Sequence, residues 1–566
     1  MPYQSPVGEI RFILDHVVPL APVAATERFA EATNETADAI LTEAARLCDE
    51  VMAPLQRNGD LHPARLENGV LRSSPGFAEG YRAIADGGWV GLAAPREFGG
   101  MGLPQALNMA VNDMMSGACL ALQLNPLLTQ GQIEALEHHA SAELKALYLP
   151  RLISGEWSGT MNLTEPQAGS DVGAVRTRAE PNGDGTFAIT GQKIFISWGD
   201  SDLTANVCHL VLARLPDAAP GTRGISLFMV PKYIPDAQGN PGVANSLKVV
   251  SLEHKMGLHG SPTCVMAYEG ATGWMVGGEA KGMAAMFTMM NNARLAVGVQ
   301  GVGVAEAAYQ KALEYAMDRR QAGPIVEHAD VRRMLAGMKA DIFAARAIAL
   351  ACAVAIDMGR ATGEPEWQAS AALLTPIAKA FGTEVGIAVS ETGVQVHGGM
   401  GFVEETGAAQ FCRDVRVTAI YEGTNGIQAM DLVGRKMMDG GEAAFRLLQE
   451  VEDAANAARA ARPELADLAE DVWTAAETLR EATEWLVRQE PQDRFAGAVP
   501  YLRAFARVLG AHFHLKAALA GGASGPRAAL ARVYIKRLLP QFAAALDEAR
   551  QGAAGLYALS VEDLAA

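Results

Sequence analysis

The sequence predicts an α+β chain, mainly α. It consists of a helical domain, a middle β-domain, a second helical domain and an extra C-terminal helical bundle. Three observations predict this. Apolar residues recur at helical spacing before residue 157 and again after residue 276. Between these stretches the pattern changes to short β-branched and aromatic runs, broken by Gly, Pro, Asn and Asp. The chain is 566 residues long, more than one ordinary core holds, so several domains are expected.

Residues 1–34 read as an N-terminal arm, and residues 35–157 as a helical domain. AEATNETADAILTEAARLCDEVMAPL has its apolar residues on one helical face, with Thr33 or Asn34 as the cap. GLAAPREFGGMGLP is a Gly/Pro-rich loop between helices. Residues 158–275 form the β-domain, with strands in FAITGQKIFISWG, HLVLARL, GISLFMVPK and TCVMAYEG. NGDG at 182–185 marks a hairpin turn. Helical patterning returns over residues 276–438. After Gly440 and Gly441 the Ala-, Leu-, Arg- and Glu-rich segment within 439–566 reads as a separate bundle.

Composition narrows the function classes. With 49% hydrophobic and 20% charged residues, the chain reads as packed and soluble rather than disordered. A net charge of −17 argues against a general binder of nucleic acid or anionic membrane. The exception is residues 494–550, where nine cations (Arg494, Arg503, Arg507, Lys516, Arg527, Arg532, Lys536, Arg537, Arg550) face only Asp547 and Glu548. From Gly440 onward there are nevertheless 14 basic and 17 acidic residues. The six cysteines form no CxxC pair and read as buried thiols of a reducing compartment, with no metal site expected. Glu9, Arg11 and Asp15 interrupt the opening segment, so it is no secretory signal. No uninterrupted apolar run reaches about 18 residues, so no membrane span is expected and the cytoplasm is the default.

Three motifs carry chemistry. MNLTEPQAGSDVG, from Met161 to Gly173, offers the Thr164 and Ser170 hydroxyls and a flexible Gly169, a set suited to a flavin edge or a pyrophosphate. Alone, such a loop is more often a plain turn. GQKIFISWGD places Phe195 and Ser197 on a strand, where Phe195 can back a flat ring. Alone, it reads as ordinary sheet core. QVHGGMGF, with Gly398, Gly399 and Gly401, precedes IYEGTNGIQ. In the latter, Glu422 follows the apolar Ala419, Ile420 and Tyr421, which would desolvate its carboxylate and raise its pKa toward that of a useful base. Alone, a Glu before a Gly is usually a solvated loop residue.

Together, TEPxAGSD, KxFIS, QxxGGxGF and YEGTNxIQ, in this order from about residue 40 to 437, resemble the acyl-CoA dehydrogenase family. The resemblance implies FAD held between the β-domain and the second helical domain, across a subunit interface. It implies that Leu163, Thr164 and Ser170 contact the flavin and its pyrophosphate, with Met161 and Gly169 in the same loop, and that Phe195, Ile196 and Ser197 line the isoalloxazine. Many relatives carry Trp where Phe195 stands. Arg319, in YAMDRR, would reach the neighbouring subunit's FAD phosphates. Gln395, Gly398 and Gly399 would hold its adenosine part, and Thr424 would approach the cofactor. Where relatives often have Gln, this chain has Gly426, so that FAD contact is expected to be missing. Arg294, in NNAR, matches a substrate-side arginine, and Asn291 replaces a common Asp. Ser170, Asn291, Arg294, Tyr421, Glu422 and Gly423 are the expected substrate contacts.

The resemblance further implies the reaction. Glu422 removes the α-proton of an acyl-CoA thioester, while the Glu422 backbone N–H and a ribityl hydroxyl stabilise the thioester oxygen. The β-hydride passes to flavin N5, giving a trans-2-enoyl-CoA, and electrons leave to an electron-transfer flavoprotein. The arm and the extra bundle resemble the large bacterial subgroup that contains 3-(methylthio)propanoyl-CoA dehydrogenase. That makes this thioester or another short- to medium-chain acyl-CoA the expected substrate. At least a homodimer is expected, since Arg319 would reach a neighbour's FAD, and a dimer is favoured if the extra bundle occupies the surface that smaller relatives use to form tetramers. Met283, Met286, Met289 and Met290 stand either in an acyl pocket or in helix packing. Two readings remain beside the dehydrogenase: an acyl-CoA oxidase, and a DNA-associated relative using the 494–550 stretch.

Overall fold

The computed structural model describes residues 3–566. The arm folds. Helix α1 (Val7–Phe12) continues as a π-turn over Ile13–Val17 and buries Ile10, Ile13, Leu14 and Val17. Helix α2 (Asn34–Arg46) starts at Thr33, whose hydroxyl accepts from the Thr36 N–H, so Thr33 is the cap. Helix α3 spans Phe77–Asp86. Helix α4 (Gln105–His139) doubles back at the non-helical Cys119. Asn108 and Asn112 therefore meet Gln130 from the returning half. Its buried start is capped by Asp357, which accepts from the Gln105 and Ala106 N–H groups at 2.7 and 2.8 Å. Helix α5 (Ala142–Ile153) leads into the strands.

A seven-stranded sheet follows: β1 (Trp157–Asn162), β2 (Arg178–Pro181), β3 (Phe187–Ser197), β4 (Asn206–Arg214), β5 (Ile225–Pro231), β6 (Leu247–Leu252) and β7 (Thr263–Val276). The sheet order is β6-β7-β3-β2-β4-β1, and β5 pairs with both β7 and β4. This closes a ring of strands, with β6 and β1 outside it. NGDG joins β2 to β3 as a hairpin. Against β7, β3 slips register: Ile196 faces Cys264, whereas Lys193 faces Met266. The extra residue is a β-bulge that breaks inside–outside alternation.

Helices α6 (Gly282–Asp318), α7 (Ala329–Thr362) and α8 (Pro365–His397) then cross α4 to form the main helical core. Helices α6 and α8 approach to backbone contact. A Cβ at Gly301 would lie 2.3 Å from the Gly382 carbonyl oxygen, and one at Gly382 would lie 2.4 Å from that of Gly298. Arg346 of α7, fully buried, binds Asp113 of α4 at 2.6 Å and Glu306 of α6 at 3.0 Å. Two segments, Ala329–Thr362 and Pro365–Phe402, pass a length-and-composition test for a membrane span. Their most apolar windows are 83% and 72% buried within the protein. Hydropathy thus marks core helices here.

Helix α9 (Asn425–Val433) follows the last motif, and Gly440 and Gly441, both at positive φ, turn the chain into the bundle α10 (Glu442–Ala461), α11 (Ala466–Leu486), α12 (Ala498–Gly521) and α13 (Pro526–Val533). This bundle packs on α7, α8 and α9 through α12. It also holds the arm: Arg527 pairs with Glu9 at 2.5 Å and lies 4.0 Å from the Phe12 ring centroid. Five of the six cysteines are buried and Cys412 is half-exposed, because helix Ala408–Val415 turns it toward the surface.

Candidate active site

Glu422 lies between short helical turns and α9, on a loop that the chain can enter only with left-handed backbone. Glu422 has φ +55 and Gly423 φ +82. Thr424 ends the turn by capping α9, accepting from the Ile427 N–H. The Glu422 Oε2 is buried with no hydrogen-bond partner among the described residues. Burial pushes its carboxyl up to about 7, against the pull of Arg294 and then Lys379, which favour the carboxylate. Arg294, 5% exposed, is held by Asp431 of α9 at 3.4 Å and by Asn291 at 3.5 Å. Tyr421 donates to Gln300, which donates on to Gln123 of α4 at 2.9 Å. Gln428 donates to the Glu422 and Gly423 carbonyls at 3.2 and 3.3 Å.

The β-domain presents a second surface. Phe195 stands 60% exposed at φ +59 because the bulge turns it out of the barrel. The same bulge sends Lys193 and Ile196 inward. Ile196 is 2% exposed and packs in the β-domain core. Its side chain points into that core. Lys193 binds Glu165 and the Leu163 carbonyl, each at 2.9 Å. Thr177 and the Arg176 and Thr177 N–H groups also donate to Glu165. This buried pair fixes the loop that carries Leu163, Thr164, Gly169 and Ser170. Thr160 donates to the Ser197 carbonyl at 2.8 Å, and the buried Trp198 donates to the Ala121 carbonyl of α4. Strand β3 and the Glu422 loop are thus both tied to one turn of α4, through Ala121 and Gln123.

Arg319 lies elsewhere. It is exposed at the far end of α6, roughly 38 Å along the helix from Arg294 at 1.5 Å per residue. Tyr315 stacks on His397 at 4.5 Å, which brings the Arg319 end beside Gln395, Gly398 and Gly399. A cavity of about 410 Å³ opens between α4, α6, α7, α8 and α9, bounded in part by Glu134, Asn291, Arg294, Arg360 and Lys436. Met286, Met289 and Met290 are buried in α6, with Met289 against Gly131.

Family models match most of the chain: acyl-CoA dehydrogenase N-terminal domain over residues 34–156, middle domain over 160–271 and C-terminal domain over 280–438, and acetyl-CoA dehydrogenase C-terminal like over 447–560. The chain belongs to the acyl-CoA dehydrogenase family. It is similar to 3-methylmercaptopropionyl-CoA dehydrogenase of Ruegeria pomeroyi, 46% identical over 519 residues, covering 89% of this chain and 88% of that one. A butyryl-CoA dehydrogenase of Syntrophomonas wolfei is 37% identical over 444 residues, covering 74% and 72%. Two crystal structures share the fold. Caenorhabditis elegans ACDH-11 in complex with C11-CoA has a TM-score of 0.81 at 20% identity, covering 95% of this chain and 92% of that one. The Bacillus anthracis acyl-CoA dehydrogenase complexed with FAD has a TM-score of 0.73 at 21% identity, covering 97% and 92%.

Like its family, this acyl-CoA dehydrogenase is an FAD-dependent oxidoreductase of acyl-CoA thioesters, and its own surface suits FAD. Phe195 offers a flat apolar face. The Thr164, Ser170 and Ser197 side chains make no hydrogen bond among the described residues. A Cβ at Gly169, Gly398 or Gly399 would meet nothing within 4 Å, so the backbone there is open to a ligand. Several contributors escaped the sequence reading. Lys193, Gln300 and Gln428 touch the motifs or their partners, yet only proximity in the motif marked Lys193 and Gln428. Lys379 had one signal, a single charge within the apolar ALLTPIAKAFG.

Proposed function

We propose that the protein removes the α-proton of an acyl-CoA thioester with Glu422, forming a trans-2-enoyl-CoA. One observation carries this reading: the Glu422 carboxylate is desolvated, unpartnered and flanked by two cations, on a loop tied to the flavin-side strand. A thioester α-C–H is a weak acid, so its removal needs a placed base and a donor on the thioester oxygen. The Glu422 backbone N–H is the chain's own candidate for that donor. Arg294 and Lys379 favour the ionised carboxylate, against the larger upward push of burial. Bound FAD supplies the acceptor for the β-hydride. Leu163, Thr164, Ser170, Phe195, Ser197 and the Ile196 backbone would hold its flavin side, with Thr424 close by.

Arg319, Gln395, Gly398 and Gly399 lie too far from Arg294 to serve the same cofactor readily, which supports their reaching a second copy's FAD in a homodimer. We place the thioester's approach beside Ser170, Asn291, Arg294, Tyr421 and Gly423. The 46% identical relative supports 3-(methylthio)propanoyl-CoA, or another short- to medium-chain acyl-CoA, as substrate. Family membership supports an electron-transfer flavoprotein as acceptor, and the thiol usage supports the cytoplasm. The test is anaerobic flavin bleaching by a panel of acyl-CoA thioesters. Glu422→Gln should lose bleaching by at least about 10²-fold while FAD and thioester binding persist. Normal bleaching in that variant, with loss in a Glu404→Gln/Glu405→Gln double variant, would move the base to the preceding loop.

A further inference from the structure

Lys379 sits in the middle of α8 with its side chain fully buried. An ammonium there must find partners, since burying a lone charge is strongly unfavourable. It has two. Nζ lies 2.9 Å from the Gly423 carbonyl oxygen and 2.9 Å from Asn425 Oδ1. Asn425 is fixed in turn by Thr383 at 3.0 Å. The glycine-mediated approach of α6 and α8 holds this part of α8 against the site. Above it, Glu422 and Gly423 are consecutive left-handed residues, a conformation that glutamate rarely adopts. Something must hold them, and Gln428 reaches the same Gly423 carbonyl only at 3.3 Å.

We infer that Lys379 is a positioning residue for proton abstraction: its ammonium anchors the Gly423 carbonyl, fixing the Glu422 backbone, and sets a buried positive charge facing the Glu422 carboxylate. This rests on reading Glu422 as the base. The charged and titratable groups around the pair are few. Arg294 faces both from α6, Glu384 faces Lys379 from its own helix, and the Tyr421 phenol adjoins Glu422. Burial pulls the Lys379 ammonium below its ordinary value, while Glu422 pulls it up. Without Lys379, Arg294 alone would oppose the upward push of burial on Glu422.

The experiment uses full-length, FAD-loaded protein and anaerobic stopped-flow flavin reduction by 3-(methylthio)propanoyl-CoA across pH. Lys379→Met should lower the limiting rate about 10- to 100-fold and move the pH midpoint upward by about one unit. Flavin content and half-saturating thioester concentration should change little. Lys379→Gln keeps a donor for the Gly423 carbonyl without the charge. It should recover part of the rate but keep the displaced midpoint, and it alone decides if the Met variant does not fold. A lower melting temperature with an unchanged rate and midpoint would reduce Lys379 to a structural role and overturn the inference. The two readings fail separately. A fully active Glu422→Gln sinks the base assignment, whereas an inert Glu422→Gln beside Lys379 variants of parental profile sinks only the positioning role.

Discussion

Glu422 and Phe195 are both non-glycine residues at positive φ, the first with a buried carboxylate oxygen and the second with its ring exposed. A side chain held in that region costs of order 1–3 kcal/mol and persists only where the surroundings fix it. Two predictions belong here. Flavin reduction should rise with pH through about 7, because the Glu422 carboxyl, raised by burial, must lose its proton before it can accept another. A rate flat from pH 5 to 9 under single-turnover conditions would contradict that. Phe195→Ala should weaken FAD binding about 10-fold or more, yet leave apo-protein stability within about 1 kcal/mol, since little apolar surface is buried there. Flavin titration and urea unfolding read the two effects apart. Glu422 was singled out by its motif and its apolar approach, although Ile420 of that approach is itself 53% exposed. Phe195 taken alone pointed to the core, since a strand residue ordinarily alternates. The bulge that exposes it depends on register with β7, and register is not local information.

At the scale of elements, the Lys193–Glu165 pair joins β3 to the flavin-side loop. Burial alone would raise the Glu165 carboxyl, but Lys193 and the Thr177 and Arg176 donors hold it down at about 2. A carboxyl depressed in the folded state adds stability that is complete above its unfolded pKa and is lost as pH falls from about 4.5 toward 2. Lys193→Met should strand that carboxylate, cost about 3–5 kcal/mol and shift acid unfolding to higher pH. An unchanged acid transition would refute it. Gly382→Ala should also destabilise the protein, by about 1–3 kcal/mol, because its new methyl must push α6 from α8. Thermal unfolding checks this, and a stabilised variant would count against backbone contact there. The cap at Thr33 or Asn34 and the NGDG hairpin could be read from sequence because both are made within a few residues, and the structure places the cap at Thr33. The closed strand ring and the α6–α8 contact could not, since they join residues far apart in the chain.

For the whole molecule, the basic stretch of residues 494–550 is largely spent on internal pairing. Arg503 meets Glu384, Arg507 meets Asp341, Arg527 meets Glu9, Arg532 meets Asp467, and Lys536 meets Asp471. Duplex DNA should therefore show no salt-dependent gel shift with this protein, and a shift that weakens steeply with salt would revive the DNA-associated reading. Counting charges along the sequence suggested a patch. The carboxylates that quench it come from the arm, α7, α8 and α11, which no linear window contains. The clasp between Glu9 and Arg527 has a consequence in the order of synthesis. The arm leaves the ribosome long before the helix that covers Phe12 is made. At ordinary elongation rates of about 5–20 residues per second, Ile10, Ile13 and Leu14 wait roughly half a minute or more for their cover. During that wait the nascent chain offers a greasy hook to any chaperone near the exit tunnel.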